Sequence, residues 1–381
     1  MRIFKLSNEI DSKQTLRDLG VDTGGVDILA SKMKHHLFYI KELHVGAANI
    51  LKQDALSIGA DLAVPRGTVI AKNQHVDAIL IATQKQLSEL SRKELAQPFG
   101  LKELAQQLKV FAKTLMPKKV EIMGIINAND DSFFQNSRFK DVSAVLKIEQ
   151  MIEEGASIID IGGVSSRPGS LHVSADEEFL RIKPIVDALY TQKIYEKTAL
   201  SIDSYEPRVI SYILERGFKI VNDITGLAND EVCKLCASYE AKAVLMHMQG
   251  TPQDMQCDPV YENVVLHVED FFKERIEKAQ SFGIKELILD VGIGFGKTLE
   301  HNIELIKNLE HFLYLGYPLL VGASRKSMID KISSSTIEQR LGGTLALHLK
   351  AADNGASILR VHDVYEHSQA LHVREAFKSA H

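Results

Sequence analysis

From Val120 onward, the sequence alternates between short apolar runs and longer segments with the apolar spacing of helices. Runs that are apolar throughout are typical of strands buried on both faces of a parallel sheet. Eight such strands, each followed by a helical segment, fit into about 260 residues, which predicts an α/β protein with a (β/α)8 TIM barrel. A doubly wound open sheet is the alternative, but it usually has fewer strands and one dominant glycine-rich turn. The predicted strands cover residues 120–127, 157–163, 199–204, 220–224, 242–248, 287–292, 318–324 and 357–363.

The residues before this alternation predict a small α+β domain. We therefore divide the chain into an N-terminal domain at residues 1–116 and a barrel domain at residues 117–381. Because the N-terminal domain has no cluster of residues with an evident chemical role, we expect it to serve in docking or packing. Its predicted strands include residues 2–7, 36–45 and 77–82, and its predicted helices include residues 46–58 and 101–115.

The composition excludes several classes of protein. A net charge of −5 leaves no basic surface for nucleic acid. No segment approaches the roughly 20 apolar residues of a membrane span, and the first residues lack the apolar run of a signal peptide. Three cysteines, an odd number, do not fit a disulfide framework and favour a reducing compartment. We therefore expect a cytoplasmic protein that acts on small molecules and binds neither nucleic acid nor membrane.

Polar residues occur where the predicted strands end. In a barrel of parallel strands these ends share one rim, and active sites of this architecture lie there. Charged groups that converge at a rim would be costly to desolvate without a ligand, so we expect a functional site. The polar residues at the strand ends are Asn127, Asp160, Asp203, Asn222, His247, Asp290, Ser324, Lys326, Arg360 and His362.

The chemistry of these side chains points to the kind of ligand. Asp203, Asn222 and Asp290 suit a flat heterocycle that carries N–H donors, because a carboxylate can accept two parallel hydrogen bonds from a guanidine-like edge. Lys326 could meet the ring's carbonyl or nitrogen acceptors. A separate cationic group, formed by Arg167, Arg360 and His362, suits phosphate oxygens. Asn127 is a neutral oxygen ligand for a weakly held Mg²⁺ completed by water and phosphate. The substrate should therefore carry a polar ring at one end and a phosphate or diphosphate at the other.

A glycine-rich segment follows the sixth predicted strand. Gly292-Ile-Gly-Phe-Gly-Lys297-Thr298 approaches the phosphate-loop pattern G-x-x-x-x-G-K-[ST]. The position of the first glycine is occupied by Val291, so the spacing fails by one residue. We interpret the segment as a turn whose glycines let the backbone pass close to a ligand. His247, at the end of the fifth strand, is expected to be structural.

Nine ordered segments of the barrel domain resemble the dihydropteroate synthases of folate biosynthesis, over about two thirds of the chain. That resemblance implies a (β/α)8 barrel, a homodimer and Mg²⁺. It also implies the condensation of 6-hydroxymethyl-7,8-dihydropterin diphosphate with p-aminobenzoate to give 7,8-dihydropteroate and diphosphate. An enzyme of this kind is expected to be a target of sulfonamide drugs. The segments are MGIIN with DSF at 123–133, IDIGG with SRPG at 159–169, SIDS at 201–204, VNDI at 221–224, LMHMQG at 245–250, LD at 289–290, GFGK at 294–297, LVGASRKS at 320–327 and RVHD at 360–363.

The same resemblance implies roles for individual residues. The pterin ring would be bound by Asp203, Asn222, Asp290 and Lys326. The diphosphate would be bound by Asn127, Ser166, Arg360 and His362, with Mg²⁺ on Asn127. The p-aminobenzoate pocket, where sulfonamides compete, would be formed by Phe133, Arg167, Pro168, Phe295 and Ser324. The catalytic residues would be Asp131, Lys326, Arg360 and His362.

The sequence departs from the family pattern in the first loop, where Asn129-Asp130 replace Thr-Pro, and at Val164, where the family often has Glu. The synthase has two alternatives. A pterin-dependent methyltransferase would keep the pterin acceptors but would not need Asp131 or the pair of Arg360 and His362. A non-catalytic pterin-binding paralogue would tolerate the altered loop. Retention of the anion-binding residues favours the synthase.

Overall fold

The computed structural model describes residues 1–8, 10–128, 137–164, 173–251 and 254–379. These residues divide into two compact units. The first is Met1–Leu115 together with the last residues of the chain from Glu375, and the second is Met116–Arg374.

The described part of the first unit contains a three-stranded antiparallel sheet with the strand order β1-β3-β2, which confirms the predicted α+β class. Leu62 of β2 lies opposite Leu80 of β3, and both are fully buried in a core shared with the helices. The strands are β1 His35–His44, β2 Asp61–Ala63 and β3 His75–Thr83. The helices are α1 Ser12–Asp18, α2 Thr23–Ala30, α3 Val45–Ser57, α4 Gln84–Lys93 and α5 Leu101–Phe111.

The predicted strand at residues 2–7 is wrong. These residues form neither strand nor helix, and Ile3 and Phe4 are almost fully exposed, at 98% and 82%. An apolar alternation favours a strand only where a neighbouring strand supplies hydrogen bonds. The sheet of this unit is built from β1, β2 and β3 alone within the described residues, so the segment has no strand to pair with there.

The described residues of the second unit include eight parallel strands that form a closed barrel in the order β10-β11-β4-β5-β6-β7-β8-β9. Closure between β11 and β4 confirms the predicted (β/α)8 barrel and excludes the open sheet. The strands are β4 Glu121–Asn127, β5 Ile158–Gly162, β6 Ala199–Asp203, β7 Ile220–Asp223, β8 Lys242–Met246, β9 Leu287–Asp290, β10 Leu319–Val321 and β11 Ile358–Val361. The helices are α6 Ser137–Glu153, α7 Ala175–Thr191, α8 Pro207–Leu214, α9 Asp230–Ser238, α10 Val264–Ser281, α11 Leu299–Lys307, α12 Ser327–Ile332, α13 Leu341–Asp353 and α14 Val364–Ser379.

Two layers of apolar side chains build the barrel. Residues that point outward from the strands pack against the helices, where Phe272 of α10 and Phe312 meet edge to face. Residues that point inward form a separate buried cluster, which consists of Met123, Ile158, Ile220, Val244, Ile288, Leu320 and Ile358. Because successive side chains of a strand alternate between its faces, the residue two positions after each of these also points inward. On four of these strands that next position carries a polar side chain of the rim.

Among the described helices, none combines the length and the apolar character that a membrane span requires.

Candidate active site

The inward position after the apolar layer is polar on four strands. Asp160 follows Ile158, Asn222 follows Ile220, Asp290 follows Ile288 and Arg360 follows Ile358. On β6 the same alternation leads to Asp203, which lies opposite Asn222 of β7. The structure therefore brings the predicted pterin-binding acceptors to one rim.

A hydrogen-bonded cluster of charged groups lies at the centre of this rim. The Arg360 guanidinium donates from Nε to Asp160 Oδ2 at 2.6 Å and from Nη2 to Asp203 Oδ2 at 2.7 Å. Asn222 Nδ2 donates to the same Asp160 oxygen at 3.0 Å. Arg360 therefore connects strands β5, β6 and β11. The expectation that it belongs to a cationic group apart from the carboxylates is wrong in this structure, because the barrel register places it between two of them.

Asp160 is expected at the rim from the sequence, but no ligand is predicted for it. It is fully buried, and no described residue donates a hydrogen bond to its Oδ1. A buried carboxylate is costly unless it is paired, and here the charge of Arg360 supplies the pairing. Burial also raises the pKa of Asp203, and the Arg360 guanidinium opposes that rise. Asp160 fixes the orientation of both Arg360 and Asn222.

The second half of the rim is formed by residues at or after the ends of β9 and β10. Asp290 is buried, its Oδ1 accepts a hydrogen bond from Gly292 N–H at 2.8 Å, and burial raises its pKa. The Lys326 ammonium donates to the carbonyl oxygen of Ile293 and lies 4.0 Å from the centroid of the Phe295 ring. Burial lowers the pKa of Lys326 to about 7, while the Asp290 carboxylate opposes that change. Lys326, which is predicted to bind the pterin, is thus in contact with Phe295, which is predicted to bind p-aminobenzoate.

Ser324 and His362 meet at the ends of β10 and β11. Ser324 Oγ lies 2.9 Å from His362 Nδ1 and accepts from His362 N–H at 3.3 Å. Asn127 ends β4, the strand that pairs with β11 in the barrel, and is half-buried. The predicted diphosphate-binding residues Asn127, Arg360 and His362 therefore occupy adjacent strands.

Two buried histidines support these strand ends, and the sequence analysis missed both. Ala323 N–H donates to His348 Nε2 at 2.9 Å, so Nδ1 of His348 carries the proton and faces His367 Nε2 at 2.9 Å. His367 Nδ1 then donates to the main-chain oxygen of Asp363 at 2.6 Å. Burial lowers the pKa of both histidines, which keeps them neutral. The chain of bonds ties the end of β10 to the residue after His362. A histidine within each apolar helical pattern was the signal that could have revealed them.

Five predicted site residues lie outside the described residues: Asp131, Phe133, Ser166, Arg167 and Pro168. Their predicted roles stay predictions.

A family model described as "Pterin binding enzyme" matches residues 123–362, which include all the described rim residues. The chain is also 42% identical to the bifunctional dihydropteroate synthase/dihydropteroate reductase of Helicobacter pylori, over 99% of this chain and 98% of that protein. The chain belongs to the pterin-binding family of dihydropteroate synthases. The resemblance inferred from the sequence is confirmed.

Two dihydropteroate synthases of known structure share the barrel. The Yersinia pestis enzyme in a sulfonamide drug complex is 38% identical, covers 69% of this chain and 95% of its own, and has a TM-score of 0.64. The Thermus thermophilus enzyme in complex with 4-aminobenzoate is 36% identical, covers 68% of this chain and 95% of its own, and has a TM-score of 0.61. These shares correspond in size to the barrel unit, whereas the Helicobacter pylori relative matches nearly the whole chain.

Glu178 of α7 lies beside the rim and is almost completely buried. A Cβ atom on Gly163, just after β5, would come within 3.0 Å of its Cγ, and no described residue donates to its Oε1. Burial raises the pKa of Glu178 from its ordinary value of 4.5 to about 7, and a hydrogen bond from Ser204 opposes the rise. A carboxyl with a raised pKa stabilises the fold at low pH, and this stability is lost as the pH rises through the folded-state value.

We predict that Glu178→Gln becomes progressively more stable than the wild-type protein as the pH rises from 5 to 8. The difference should grow by about 2 kcal/mol, since each pKa unit corresponds to about 1.4 kcal/mol and glutamine has no proton to lose. Urea unfolding at several pH values measures it. The matched control is Glu177→Gln, whose side chain is 55% exposed in the neighbouring position. The same pH dependence in both variants would contradict the prediction.

Proposed function

We propose that this chain condenses 6-hydroxymethyl-7,8-dihydropterin diphosphate with p-aminobenzoate, giving 7,8-dihydropteroate and diphosphate. The observation that carries the proposal is the rim cluster of Asp203, Asn222, Asp290 and Lys326 within a barrel of the dihydropteroate synthase family. The ligands in the Yersinia pestis and Thermus thermophilus structures, a sulfonamide drug and 4-aminobenzoate, support a p-aminobenzoate pocket that sulfonamides share. The names of the relatives favour the synthase over a methyltransferase or a non-catalytic paralogue.

The pterin ring would lie between two sets of acceptors. A carboxylate offers about four acceptor positions. Asp290 uses one of them for Gly292 N–H, so it can still accept the paired N–H groups of a pterin edge. Asp203 and Asn222 face the site from adjacent strands, and Asp203 already accepts from Arg360. Binding of the pterin would therefore share Asp203 between the ring and the guanidinium.

The diphosphate would occupy the side of the rim formed by Asn127, Arg360 and His362. The contact between Ser324 Oγ and His362 Nδ1 orients the imidazole ring at the end of β11, where it can meet an anion. Within the described ranges, no three His, Cys, Asp or Glu side chains are grouped to hold a metal ion. A Mg²⁺ ion held by the Asn127 amide oxygen, water and the substrate's own phosphate oxygens fits this set. When bound, Mg²⁺ would neutralise charge on the leaving diphosphate.

The chemistry that we propose begins with cleavage of the carbon–oxygen bond between the pterin methylene and the diphosphate. The bonding electrons leave with the diphosphate, whose charge Arg360 and His362 stabilise. The amine of p-aminobenzoate then forms the carbon–nitrogen bond and loses a proton to solvent. Because the amine attacks a cation, the reaction needs no general base on the protein. The chain contributes positioning and preorganised charge, and Asp131 would offset the cation.

We also propose a cytoplasmic homodimer. The family resemblance supports the dimer. The described cysteines are Cys233, Cys236 and Cys257, all with free thiols, which fits a reducing compartment.

A second candidate activity is the reduction of dihydropteroate. The Helicobacter pylori relative, whose name includes a dihydropteroate reductase, matches the N-terminal unit as well as the barrel. Reduction would add a hydride to C6 and a proton to N5 of the dihydropterin ring, and would oxidise a reduced nicotinamide or flavin. We expect the purified full-length chain to oxidise one of these donors only when 7,8-dihydropteroate is present, as measured by absorbance and product chromatography. No turnover with either donor would contradict this second activity and would leave the synthase proposal unaffected.

We predict that Asp290→Asn weakens the binding of 6-hydroxymethylpterin by about 2–3 kcal/mol, because a neutral amide replaces a charged acceptor in a buried site. Calorimetric titration measures the change. The fold should persist because Asp290 lies at the rim, outside the apolar layers. Asp258→Asn, at an exposed position, is the control and should bind as the wild-type protein does. Unchanged affinity in a folded Asp290→Asn protein would contradict the assignment of Asp290 to the pterin.

Substitution of two adjacent carboxylates of the first loop, Asp130 and Asp131, tests the catalytic step. Asp131→Ala should lower kcat by about 100-fold or more, the scale of losing one preorganised charge, with little change in pterin affinity. Asp130→Ala, at the position where the family has Pro, is the matched control and should have a much smaller effect. Steady-state formation of dihydropteroate from both substrates with Mg²⁺ measures the rates. Equal losses, or a larger loss at Asp130, would contradict the role of Asp131, and no product from the wild-type chain would contradict the synthase function.

A further inference from the structure

The lysine of the glycine-rich segment after β9 does not project toward solvent or the rim. Lys297 is 2% exposed, and its Nζ lies within hydrogen-bonding distance of four described acceptor atoms. These atoms are Gly292 O at 3.0 Å, Phe295 O at 2.9 Å, His247 O at 3.1 Å and His247 Nδ1 at 2.9 Å. A phosphate-loop lysine reaches a phosphate group, whereas this ammonium is enclosed by its own turn and by the end of β8.

The backbone of the turn presents carbonyl oxygens to this ammonium. Gly292, Gly294 and Gly296 adopt φ angles of 67°, 83° and 60°, in the left-handed region that favours glycine. Lys297 Nζ donates to the carbonyl oxygens of Gly292 and Phe295 in this turn, and Gly292 O also accepts from Phe295 N–H at 3.1 Å. A Cβ atom on Gly292 would lie 1.9 Å from His247 O, so the turn packs directly against the end of β8.

His247 supplies a fixed acceptor for the ammonium. The histidine is 1% exposed, and burial lowers its pKa to about 2, so it stays neutral and Nδ1 accepts from Lys297. Its main-chain N–H donates to Asp290 O at 2.9 Å. The lysine therefore fastens the glycine-rich turn to the two strands β8 and β9, whose pairing ends at Asp290.

The turn carries three contacts of the pterin site. Gly292 N–H donates to the Asp290 carboxylate, the Ile293 carbonyl oxygen accepts from Lys326, and Phe295 lies under the Lys326 ammonium. A shift of the turn would move all three together. Burial lowers the pKa of Lys297 to about 7, and the Asp290 carboxylate opposes that change. In its charged form, Lys297 opposes the rise in the pKa of Asp290 that burial causes.

We propose that Lys297 is a positioning residue for the pterin end of the site, acting through the turn that holds Asp290, Lys326 and Phe295. The inference rests on the proposed function, because it assumes that these residues bind the pterin. It differs from a purely structural role, since loss of the ammonium should affect the pterin end more than the diphosphate end, where Asn127 and His362 lie on other strands.

The test compares Lys297→Met with Lys285→Met, the same substitution at a lysine whose side chain is 76% exposed. Each purified full-length variant is titrated with 6-hydroxymethylpterin and, separately, with inorganic diphosphate and Mg²⁺. We expect Lys297→Met to raise the pterin Kd by about tenfold or more, the scale of removing a charged hydrogen-bonding partner. Its diphosphate Kd should stay within about twofold of the wild-type value, and Lys285→Met should match the wild type for both ligands.

A pterin Kd unchanged in Lys297→Met would overturn the inference, and so would equal losses for both ligands. If the wild-type chain itself fails to bind 6-hydroxymethylpterin, the proposed function is overturned, and the inference with it.

His247 offers a milder pair of variants if Lys297→Met does not fold. His247→Asn keeps an acceptor near the Nδ1 position and should bind pterin as the wild type does, whereas His247→Leu should weaken it several-fold. Equal binding by this pair would also overturn the inference.

Discussion

The site depends on one constraint, the alternation of side chains along eight parallel strands that close into a barrel. Inside the barrel, Ile158 and Ile288 belong to the apolar layer that fills the interior. The next inward positions on the same strands are Asp160 and Asp290. The periodicity that builds the core therefore also places the carboxylates at the rim.

Placing charges at that rim has an electrostatic cost, because a buried ion is stable only when it is paired. Arg360 offsets Asp160 and Asp203, and main-chain carbonyl groups offset the Lys297 ammonium. Such pairs add little to stability compared with apolar packing. Their value is that the charges are already oriented when a substrate binds, which lowers the reorganisation needed for the reaction.

The N-terminal unit is organised as a domain that could carry an activity of its own. Its sheet and helices enclose their own apolar core, with Leu51, Leu62 and Leu80 fully buried, so it has the organisation of an independent domain. The Yersinia pestis and Thermus thermophilus synthases match a share of the chain about the size of the barrel, whereas the bifunctional relative matches nearly all of it. The N-terminal unit is therefore the first place to look for an activity beyond the synthase, because the bifunctional relative matches it as well as the barrel.

The sequence by itself determined the barrel, because strand burial and helix periodicity are local patterns. It did not determine the strand ends, since β8, β9, β10 and β11 end two or three residues earlier than predicted. It marked Asp203, Asn222 and Asp290 as acceptors. It could not determine which charges pair. Asp160 and Arg360 are 200 positions apart, and only closure of the barrel brings them to 2.6 Å. The burial of Lys297 and the His348–His367 contact were likewise decided by tertiary structure, since a side chain's partners depend on packing between elements rather than on its neighbours in the chain.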